Sequence, residues 1–529
     1  MYNPFSLPLG ARKRDVLGRC AGAALLLALL TARPAAAADG KPNILFIMVD
    51  EMKWNVMSCE GHPYVKTPNL DRLAREGTRF ATAYTVAPIC TPSRYSFFTG
   101  RYAHVHGATD NNTPLREPQL LLPPLLKHNG YQTAISGKLH FISPSDSDYG
   151  FDFFWSFAHE GPGKFPTWPD DITRKYGHAG MARRLDAQPF PDDPLGRDLG
   201  KLTYPSADSQ TSWITARALD FLDQRDPSKP FFLFVSYLDP HSPSHLCEPY
   251  WSLATNTFNP ATLPLPPTFK ADPSKQTATA ANRHEVNDPA IVKALTSAYY
   301  AKVTMIDDNV GRLLDDLRRR GLADDTLVVF TADHGNMLGD LNRWFKGAMY
   351  EGSTRIPLLM KAPKGPFADA FNRGAVVSNI VENIDVMPSL CEMAGIALPQ
   401  QGIQGQSLTG LVAGRDAAWK NCAFAERTSS MLRTPQYKLV RNTGKGVRNA
   451  EPVYELYDLL NDPQETRNLA NDAAHAATVQ ELAGRLEAWQ KTAPAVPTLP
   501  GVERLPREGS RASESVQKPK RRRDRRKAP

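Results

Sequence analysis

The residue of this chain with the most chemical potential is Cys90, the first residue of a Cys-Thr-Pro-Ser-Arg segment. A cysteine supplies a nucleophile once it is ionised or chemically converted. Arg94 follows one helical turn later, so both side chains can face one site if the segment is helical. A lone cysteine is more often a buried structural residue. The nearby Pro92, Arg94 and Thr99-Gly100-Arg101 favour a chemical role here.

Four acidic or imidazole side chains are candidate ligands for one divalent metal ion. Asp50 and Glu51 follow one apolar run, and Asp333 and His334 follow another. Taken singly, each would be a strand-end cap or a solvated group, but two such pairs with Cys90 between them in sequence favour a metal. Clustered carboxylates suit calcium first, or magnesium, and the histidine also admits manganese. Such a cation would neutralise an anionic substrate and assist ionisation of the nucleophile.

Two lysines and two histidines complete the candidate site. Lys138 and His140 stand two residues apart at the end of a predicted strand, where alternate side chains point to the same side. His241 follows Asp239-Pro240 at another strand end, and Lys346 lies in an Arg-Trp-Phe-Lys-Gly segment. The structural alternative is a capping histidine or a surface lysine at each position.

Together these residues resemble the motifs of the type I, formylglycine-dependent sulfatases of the alkaline phosphatase superfamily. The resemblance covers about residues 41–490 and includes the Gly-Lys-x-His segment that contains Lys138. In that family a maturation enzyme oxidises the cysteine, here Cys90, to formylglycine. The hydrated aldehyde offers one hydroxyl to attack sulfur and a second to expel sulfate by re-forming the aldehyde. The resemblance implies hydrolysis of a small-molecule or carbohydrate sulfate ester to an alcohol and inorganic sulfate.

The resemblance also implies a role for each candidate residue. Arg94 would hold the aldehyde region and offset its negative charge. Lys138 and Lys346 would contact the nucleophile or the sulfate. His140 would take the proton from the second hydroxyl, and His241 would protonate the leaving-group oxygen. The metal would be held by Asp50, Glu51, Asp333, His334 and the modified Cys90.

The metal-ligand positions depart from the commonest pattern of the family. In most members of the family that these motifs resemble, the ligand positions hold an Asp-Asp pair and a later Asp-Asn pair. This chain has Asp50-Glu51 and Asp333-His334. An Asp-His pair is similar to that of phosphonate- and choline-ester-hydrolysing relatives. One alternative function is therefore hydrolysis of a phosphonate monoester or phosphodiester. Another is a non-catalytic protein that binds sulfate esters and in which Cys90 is never converted. Aryl, choline and sugar sulfates all remain as substrates.

Near-continuous apolar runs precede the candidate residues, beginning near residues 43, 131, 231 and 326. They alternate with predicted helices at 70–76, 208–224 and 294–320, which indicates a parallel sheet buried on both faces. Open α/β sheets place their sites beyond the carboxyl ends of the strands, where the candidate residues fall. We predict an α/β fold: an alkaline-phosphatase-like, doubly wound, mostly parallel sheet flanked by helices, with a small C-terminal antiparallel sheet plus helix.

The chain divides into four predicted regions. Residues 1–38 are a signal peptide, 39–415 a catalytic α/β domain, 416–495 a C-terminal α+β subdomain and 496–529 a disordered basic tail. In the subdomain, residues 437–440 and 453–457 are predicted strands, and a helix follows from about residue 473. The Pro-, Gly- and Asp-rich stretches 143–207 and 241–290 are predicted to be excursions over the site rather than core.

The two ends predict export and explain the basic net charge. Residues 12–14 are basic, 21–30 are apolar and 36–38 offer a cleavage site, so we expect a periplasmic or secreted protein. That apolar run is too short to span a bilayer, and no transmembrane anchor is expected. Of the net +8, residues 1–38 carry +4 and residues 517–529 carry +7, which leaves −3 between them. A slightly acidic body argues against nucleic acid as a partner.

Four cysteines remain once Cys20 is removed with the signal peptide and Cys90 is given to chemistry. They are Cys59, Cys247, Cys391 and Cys422. They allow three disulfide pairings, between which the sequence does not choose. No Cys-x-x-Cys pair is present, which argues against a structural zinc site.

Overall fold

The computed structural model describes residues 40–142, 147–156, 166–176, 199–271, 285–442 and 452–505. In chain order the strands β1 to β15 span Asn43–Asp50, Thr78–Tyr84, Gln132–Gly137, Phe153–Ser156, Leu199–Lys201, Phe231–Pro240, Ser244–Leu246, Thr326–Ala332, Arg355–Ile356, Leu358–Lys361, Ala375–Glu382, Ala423–Glu426, Ser429–Arg433, Tyr437–Asn442 and Val453–Asp458. The α-helices span Pro68–Glu76, Cys90–Thr99, Ala103–His106, Leu122–His128, Trp168–Tyr176, Gln210–Gln224, Tyr250–Ser252, Pro289–Arg319, Glu351–Thr354, Ala368–Phe371, Val386–Met393, Leu408–Val412 and Ala476–Gln490.

The main sheet has nine strands in the order β11-β2-β10-β8-β1-β6-β3-β4, with β9 paired to β2. Strands β8, β1, β6, β3 and β4 run parallel to one another, and β10 runs antiparallel to β8 and β2. Every residue of β1 and β8 is buried, as expected for central strands with both faces covered. The mostly parallel α/β sheet predicted from the apolar runs is therefore confirmed.

The register of the central strands brings the candidate residues to one edge of the sheet. Asp50 lies opposite Pro240, and Val49 lies opposite Ala332. Gly137, which ends β3, lies opposite Ser236. Because these strands are parallel, the residues that follow them meet beyond the same carboxyl edge.

A second, four-stranded antiparallel sheet follows, in the order β12-β13-β14-β15. The helix Ala476–Gln490 packs against β13 and β14, so the predicted C-terminal antiparallel sheet plus helix is confirmed. Lys438 of β14 is fully buried, and its ammonium lies 2.7 Å from Glu351 Oε1 and 2.7 Å from Glu465 Oε1. The contact with Glu351 ties the small sheet to the short helix Glu351–Thr354, and the contact with Glu465 ties it to the segment after β15.

Replacing Lys438 by methionine is expected to destabilise the protein, because two buried carboxylates would lose the ammonium that they share. Glu351 would keep its longer pair with Arg355 at 3.5 Å. Breaking a buried pair in this way typically costs about 3–5 kcal/mol. The matched control is Lys127→Met, which removes a lysine that is about half exposed in its pair with Asp152 and should cost about 1 kcal/mol or less. Thermal unfolding of the two variants measures the difference. Equal midpoints for both would contradict a stabilising role for the buried cluster.

Two expectations about the less regular segments are wrong in part. The first stretch predicted as an excursion contributes Phe153–Ser156, which pairs with β3 in the main sheet. The tail predicted from residue 496 includes residues with defined contacts: Leu505 is buried, and its backbone bonds to Gln119 in both directions. A buried leucine and a paired backbone outweigh the proline-rich composition. The predicted signal peptide and residues 506–529 lie outside the described residues.

The structure contains no disulfide bond among the described cysteines. Cys59, Cys90, Cys247, Cys391 and Cys422 are all free thiols. Among the helices in the described ranges, none has the length and apolar character needed to cross a bilayer.

Candidate active site

Cys90 is the first residue of a helix that is buried along its whole length. Ile89 before it is extended, and the helix ends at Gly100, whose φ of 64° suits glycine. Pro92 fits in the first turn because no intrahelical partner is needed there for its missing N–H. The Thr91 N–H donates to Asn111 Oδ1 at 3.0 Å. The nucleophile candidate thus sits at the N-terminus of a buried helix, directly after an extended residue.

Three charged groups surround the Cys90 sulfur. His334 Nε2 lies 3.2 Å from Sγ, Lys346 Nζ donates to it at 3.3 Å, and the thiol faces Asp50 Oδ1 at 3.6 Å. Burial and Asp50 raise the pKa of the thiol, but Lys138, Lys346 and His334 outweigh them and hold it well below its ordinary value. The position therefore stabilises negative charge on whatever group residue 90 carries.

Arg94 organises the carboxylates rather than contacting the sulfur. Its fully buried guanidinium donates from Nε to Asp333 Oδ2 at 2.9 Å and from Nη2 to Asp50 Oδ2 at 3.3 Å. Nη1 donates to Ser236 Oγ at 2.9 Å and to the Lys138 carbonyl at 2.8 Å. Arg94, one helical turn after Cys90, thus contacts two of the candidate metal carboxylates, Asp50 and Asp333.

Four side chains converge in a way that fits a divalent cation. One ligand atom each from Asp50, Cys90, Asp333 and His334 lies within 4.8 Å of the others, and all four residues are buried. Asp333 Oδ1 lies 3.5 Å and Asp50 Oδ1 3.6 Å from His334 Nε2. Burial lowers the pKa of His334, but Asp333 and Cys90 outweigh it and raise it to about 9. The two carboxylates and the imidazole of this set are donors that calcium, magnesium or manganese accepts, and an oxygen group at residue 90 in place of sulfur would fit them.

Glu51 lies beside this group rather than within it. Its φ is 71°, and its backbone N–H donates to Asp333 Oδ1 at 3.0 Å. Its carboxylate accepts from Asn336 Nδ2 at 2.9 Å and from Lys346 Nζ at 3.2 Å. With Asp50 and His241 it forms a second set of converging ligand atoms.

Lys138 lies in the site, whereas the strand argument for His140 is wrong. The Lys138 ammonium is buried and hydrogen-bonds to Asp50 Oδ2. The strand ends at Gly137, whose φ is 115° and where a Cβ would lie 1.9 Å from the Ser236 carbonyl oxygen. His140 has a φ of 56°, so strand alternation does not apply to it. Its carbonyl accepts from Thr91 Oγ1 at 2.8 Å, which keeps its backbone near the nucleophile.

His241 faces the site from the loop after β6 and is about a quarter exposed. Its Nδ1 lies 2.5 Å from the Ser242 carbonyl oxygen and its Nε2 3.4 Å from Glu51 Oε2. Both ring nitrogens thus face oxygen acceptors, as an imidazolium requires. Burial and Lys346 lower the pKa of His241 to about 4, against the opposing effect of Glu51 and Asp50. The negative charge of a bound ester would favour the charged form.

Sequence reasoning missed three polar residues that support these side chains. Ser236 and Asn336 hydrogen-bond to Arg94 and Glu51, and Lys302 contacts the loop that carries His241. Ser236 lies inside an apolar run and Lys302 in the middle of a long helix, so local patterns gave no signal. Asn336 lies two residues after the candidate ligand His334, and this short spacing is a signal in the sequence that Asn336 lies near the site.

Comparison with known proteins identifies the family. A family model described as sulfatase matches residues 42–396, which is more than half of the chain. A second, described as N-sulphoglucosamine sulphohydrolase, C-terminal, matches residues 339–492.

Two curated relatives span nearly the same length. An arylsulfatase of Clostridium perfringens is 31% identical, over 85% of this chain and 96% of its own. An N-acetylglucosamine-6-O-sulfatase of Bacteroides thetaiotaomicron is 30% identical, over 87% of this chain and 88% of its own.

Solved structures share the fold. One is a protein in complex with its substrate D-glucosamine-2-N,6-O-disulfate, with 27% identity, a TM-score of 0.66, and coverage of 85% of this chain and 98% of that one. A phosphonate monoester hydrolase of Agrobacterium radiobacter has 22% identity and a TM-score of 0.71, over 87% of this chain and 100% of that one. With the matching family model and the full-length relatives, these findings show that the chain belongs to the sulfatase family of the alkaline phosphatase superfamily, enzymes that hydrolyse sulfate esters.

Proposed function

We propose that this sulfatase uses a formylglycine made from Cys90, and that a divalent metal ion assists it. The observation that carries the proposal is the surroundings of Cys90 Sγ, where Lys346 Nζ lies at 3.3 Å and His334 Nε2 at 3.2 Å. A formylglycine hydrate at residue 90 supplies a hydroxyl for attack on sulfur and a second hydroxyl that allows sulfate release. The same cations that lower the thiol pKa favour ionisation of such a hydroxyl.

In this proposal the lysine side chains of the site bind the anionic sulfuryl group of the substrate. Lys138 directly follows β3 and pairs with the buried Asp50 carboxylate. Lys346 lies between β8 and β9 and pairs with the buried Glu51 carboxylate. Arg94 fixes Asp50 and Asp333 and so keeps those carboxylates in place. Preorganised charges of this kind in a buried site stabilise the charge that develops on the sulfate oxygens.

The two histidines divide the proton transfers in this proposal. As the S–O bond to the alcohol breaks, His241 Nε2 donates a proton to the departing oxygen. The Glu51 carboxylate at 3.4 Å supports the protonated ring. His140 accepts the proton of the second hydroxyl as sulfate departs, a role suggested by its match to the family motif and by the position of its backbone beside Thr91.

The metal would be held by Asp50, Asp333 and His334 together with residue 90, and it would neutralise sulfate oxygens and lower the pKa of the nucleophile. We expect Asp333→Ala to lose bound metal and activity, since a buried charged ligand is removed. Glu51→Ala should lose less metal, because its oxygens already contact Asn336 and Lys346. Elemental analysis after chelation and buffer exchange measures both. Wild-type metal content in Asp50→Ala and Asp333→Ala together would contradict this ligand set.

A carbohydrate sulfate is the substrate class we propose. One relative is named N-acetylglucosamine-6-O-sulfatase, and one similar structure holds a glucosamine disulfate.

We further propose that the protein is exported through residues 1–38 and that a formylglycine-generating enzyme modifies Cys90. We also propose that the chain is divided into a catalytic domain at 39–415 and a C-terminal subdomain at 416–495.

Turnover of 4-nitrophenyl sulfate, of phenyl phosphonate esters and of a panel of sulfated glycans tests the proposal. We expect the sulfate esters to be hydrolysed in preference to the phosphonates. The likeness to the Agrobacterium phosphonate hydrolase is 22% in identity and carries the fold alone. Faster turnover of the phosphonate would replace the proposed activity with the alternative, and no turnover of any ester by matured enzyme would overturn it.

A further inference from the structure

Lys302 is a buried cation that the proposed mechanism does not use. It lies near the middle of the long helix Pro289–Arg319, and 1% of its surface is exposed. A lysine ammonium has three N–H donors and no acceptor. A charge buried this deeply is costly unless it is paired and hydrogen-bonded. Its partners should therefore show why it is there.

All of its donors have acceptors in the segment that carries His241. Lys302 Nζ donates to the carbonyl oxygen of His241 at 2.8 Å and to that of Pro243 at 2.6 Å. It also lies 2.8 Å from Asp239 Oδ1, which balances its charge. Asp239 is in turn held by Thr211 Oγ1. Three acceptors thus satisfy three donors, and none remains for a substrate.

The same helix also holds the backbone of Glu51, whose carboxylate faces the His241 ring. Tyr299, one turn before Lys302, donates its hydroxyl to the Glu51 carbonyl at 2.7 Å. Residues three apart lie on one face of a helix. One rigid element therefore sets the positions of both His241 and Glu51, whose side chains meet at 3.4 Å.

We infer that Lys302 is a positioning residue that aims His241 at the leaving-group oxygen by holding the carbonyls of His241 and Pro243. The inference rests on the proposed role of His241 as the proton donor. Lys302 does not touch the substrate, so its loss should change kcat rather than KM. Misplacing a reacting group by about 1 Å can cost about 10²-fold in rate.

The test compares phenyl sulfate with 4-nitrophenyl sulfate, because phenolate needs the proton more than nitrophenolate does. Lys302→Met should lower kcat on phenyl sulfate by about 10–10²-fold and on 4-nitrophenyl sulfate much less. Asp239→Asn keeps the two carbonyl contacts and should retain the wild-type ratio of the two rates. The double variant Asp239→Asn/Lys302→Met leaves no buried charge unpaired and should show the same altered ratio as Lys302→Met. Lys438→Met, another buried lysine, is the control for destabilisation and should leave the ratio unchanged.

Equal losses on both substrates in Lys302→Met and in the double variant would overturn the inference. A wild-type ratio in the double variant would do so too, since the stranded Asp239 carboxylate would then explain the single variant. A failure of the proposed function is recognisable separately: matured wild-type enzyme would hydrolyse none of the aryl or sugar sulfates, or His241→Ala would lose equally on phenyl sulfate and 4-nitrophenyl sulfate.

Discussion

Replacement of Cys90 by alanine is expected to abolish turnover while leaving the protein folded. Loss of a catalytic nucleophile costs on the order of 10⁴–10⁶-fold in kcat. The fold should tolerate the change, because alanine is a good helix former and the residue starts the helix Cys90–Thr99. Steady-state turnover of 4-nitrophenyl sulfate and a thermal melt measure the two parts of this expectation.

A matched variant separates chemistry from packing. Cys391 is as buried as Cys90, but it lies in the helix Val386–Met393. Burial raises the pKa of its thiol, whereas neighbouring cations lower the pKa of the Cys90 thiol. Cys391→Ala should therefore keep full activity. Cys90→Ser offers a single hydroxyl, which can accept sulfate but cannot expel it through a carbonyl. Turnover of Cys90→Ala within tenfold of wild type would remove residue 90 from the chemistry.

Loss of His241 is expected to depend strongly on the leaving group. General acid catalysis is worth about 10²–10⁴-fold. His241→Ala should lose roughly that factor on a sugar sulfate, whose alkoxide needs the proton, and much less on 4-nitrophenyl sulfate. Parallel kinetics on the two substrates measure the contrast.

His140→Ala is the companion to this measurement. Its proposed step follows departure of the alcohol and is common to all substrates, so both rates should fall alike and sulfated enzyme should accumulate. Intact-protein mass spectrometry detects that species. Equal losses for His241→Ala on both substrates, with no covalent species in His140→Ala, would contradict both assignments and leave family membership untouched.

Much of this architecture could be predicted because it is encoded locally. Each apolar run predicts a buried strand, and the end of the run predicts the edge of the sheet. The sequence alone therefore predicts that Asp50, Asp333 and His241 lie near one another. Arg94 could be placed because helical spacing alone puts it near Cys90. The parallel direction of β1, β6 and β8 then brought these residues within contact distance.

The remainder depends on contacts between distant parts of the chain or on backbone conformations without a local signature. His140 and Glu51 both have positive φ values. Strand periodicity therefore predicts the wrong direction for the His140 side chain, and it does not predict the hydrogen bond between Asn336 and the Glu51 carboxylate. Lys302 contacts the His241 carbonyl across 61 positions in sequence. Leu505 is buried by pairing with Gln119, and composition alone suggested a disordered tail.

The central claim is that residue 90 acts as formylglycine rather than as a thiol. Peptide mass spectrometry of enzyme purified in active form, on the peptide that contains Cys90, tests it most directly. We predict the aldehyde form at residue 90, in a fraction that rises with specific activity across preparations of differing maturation. Full sulfatase activity from protein in which Cys90 is entirely unmodified thiol would contradict the account.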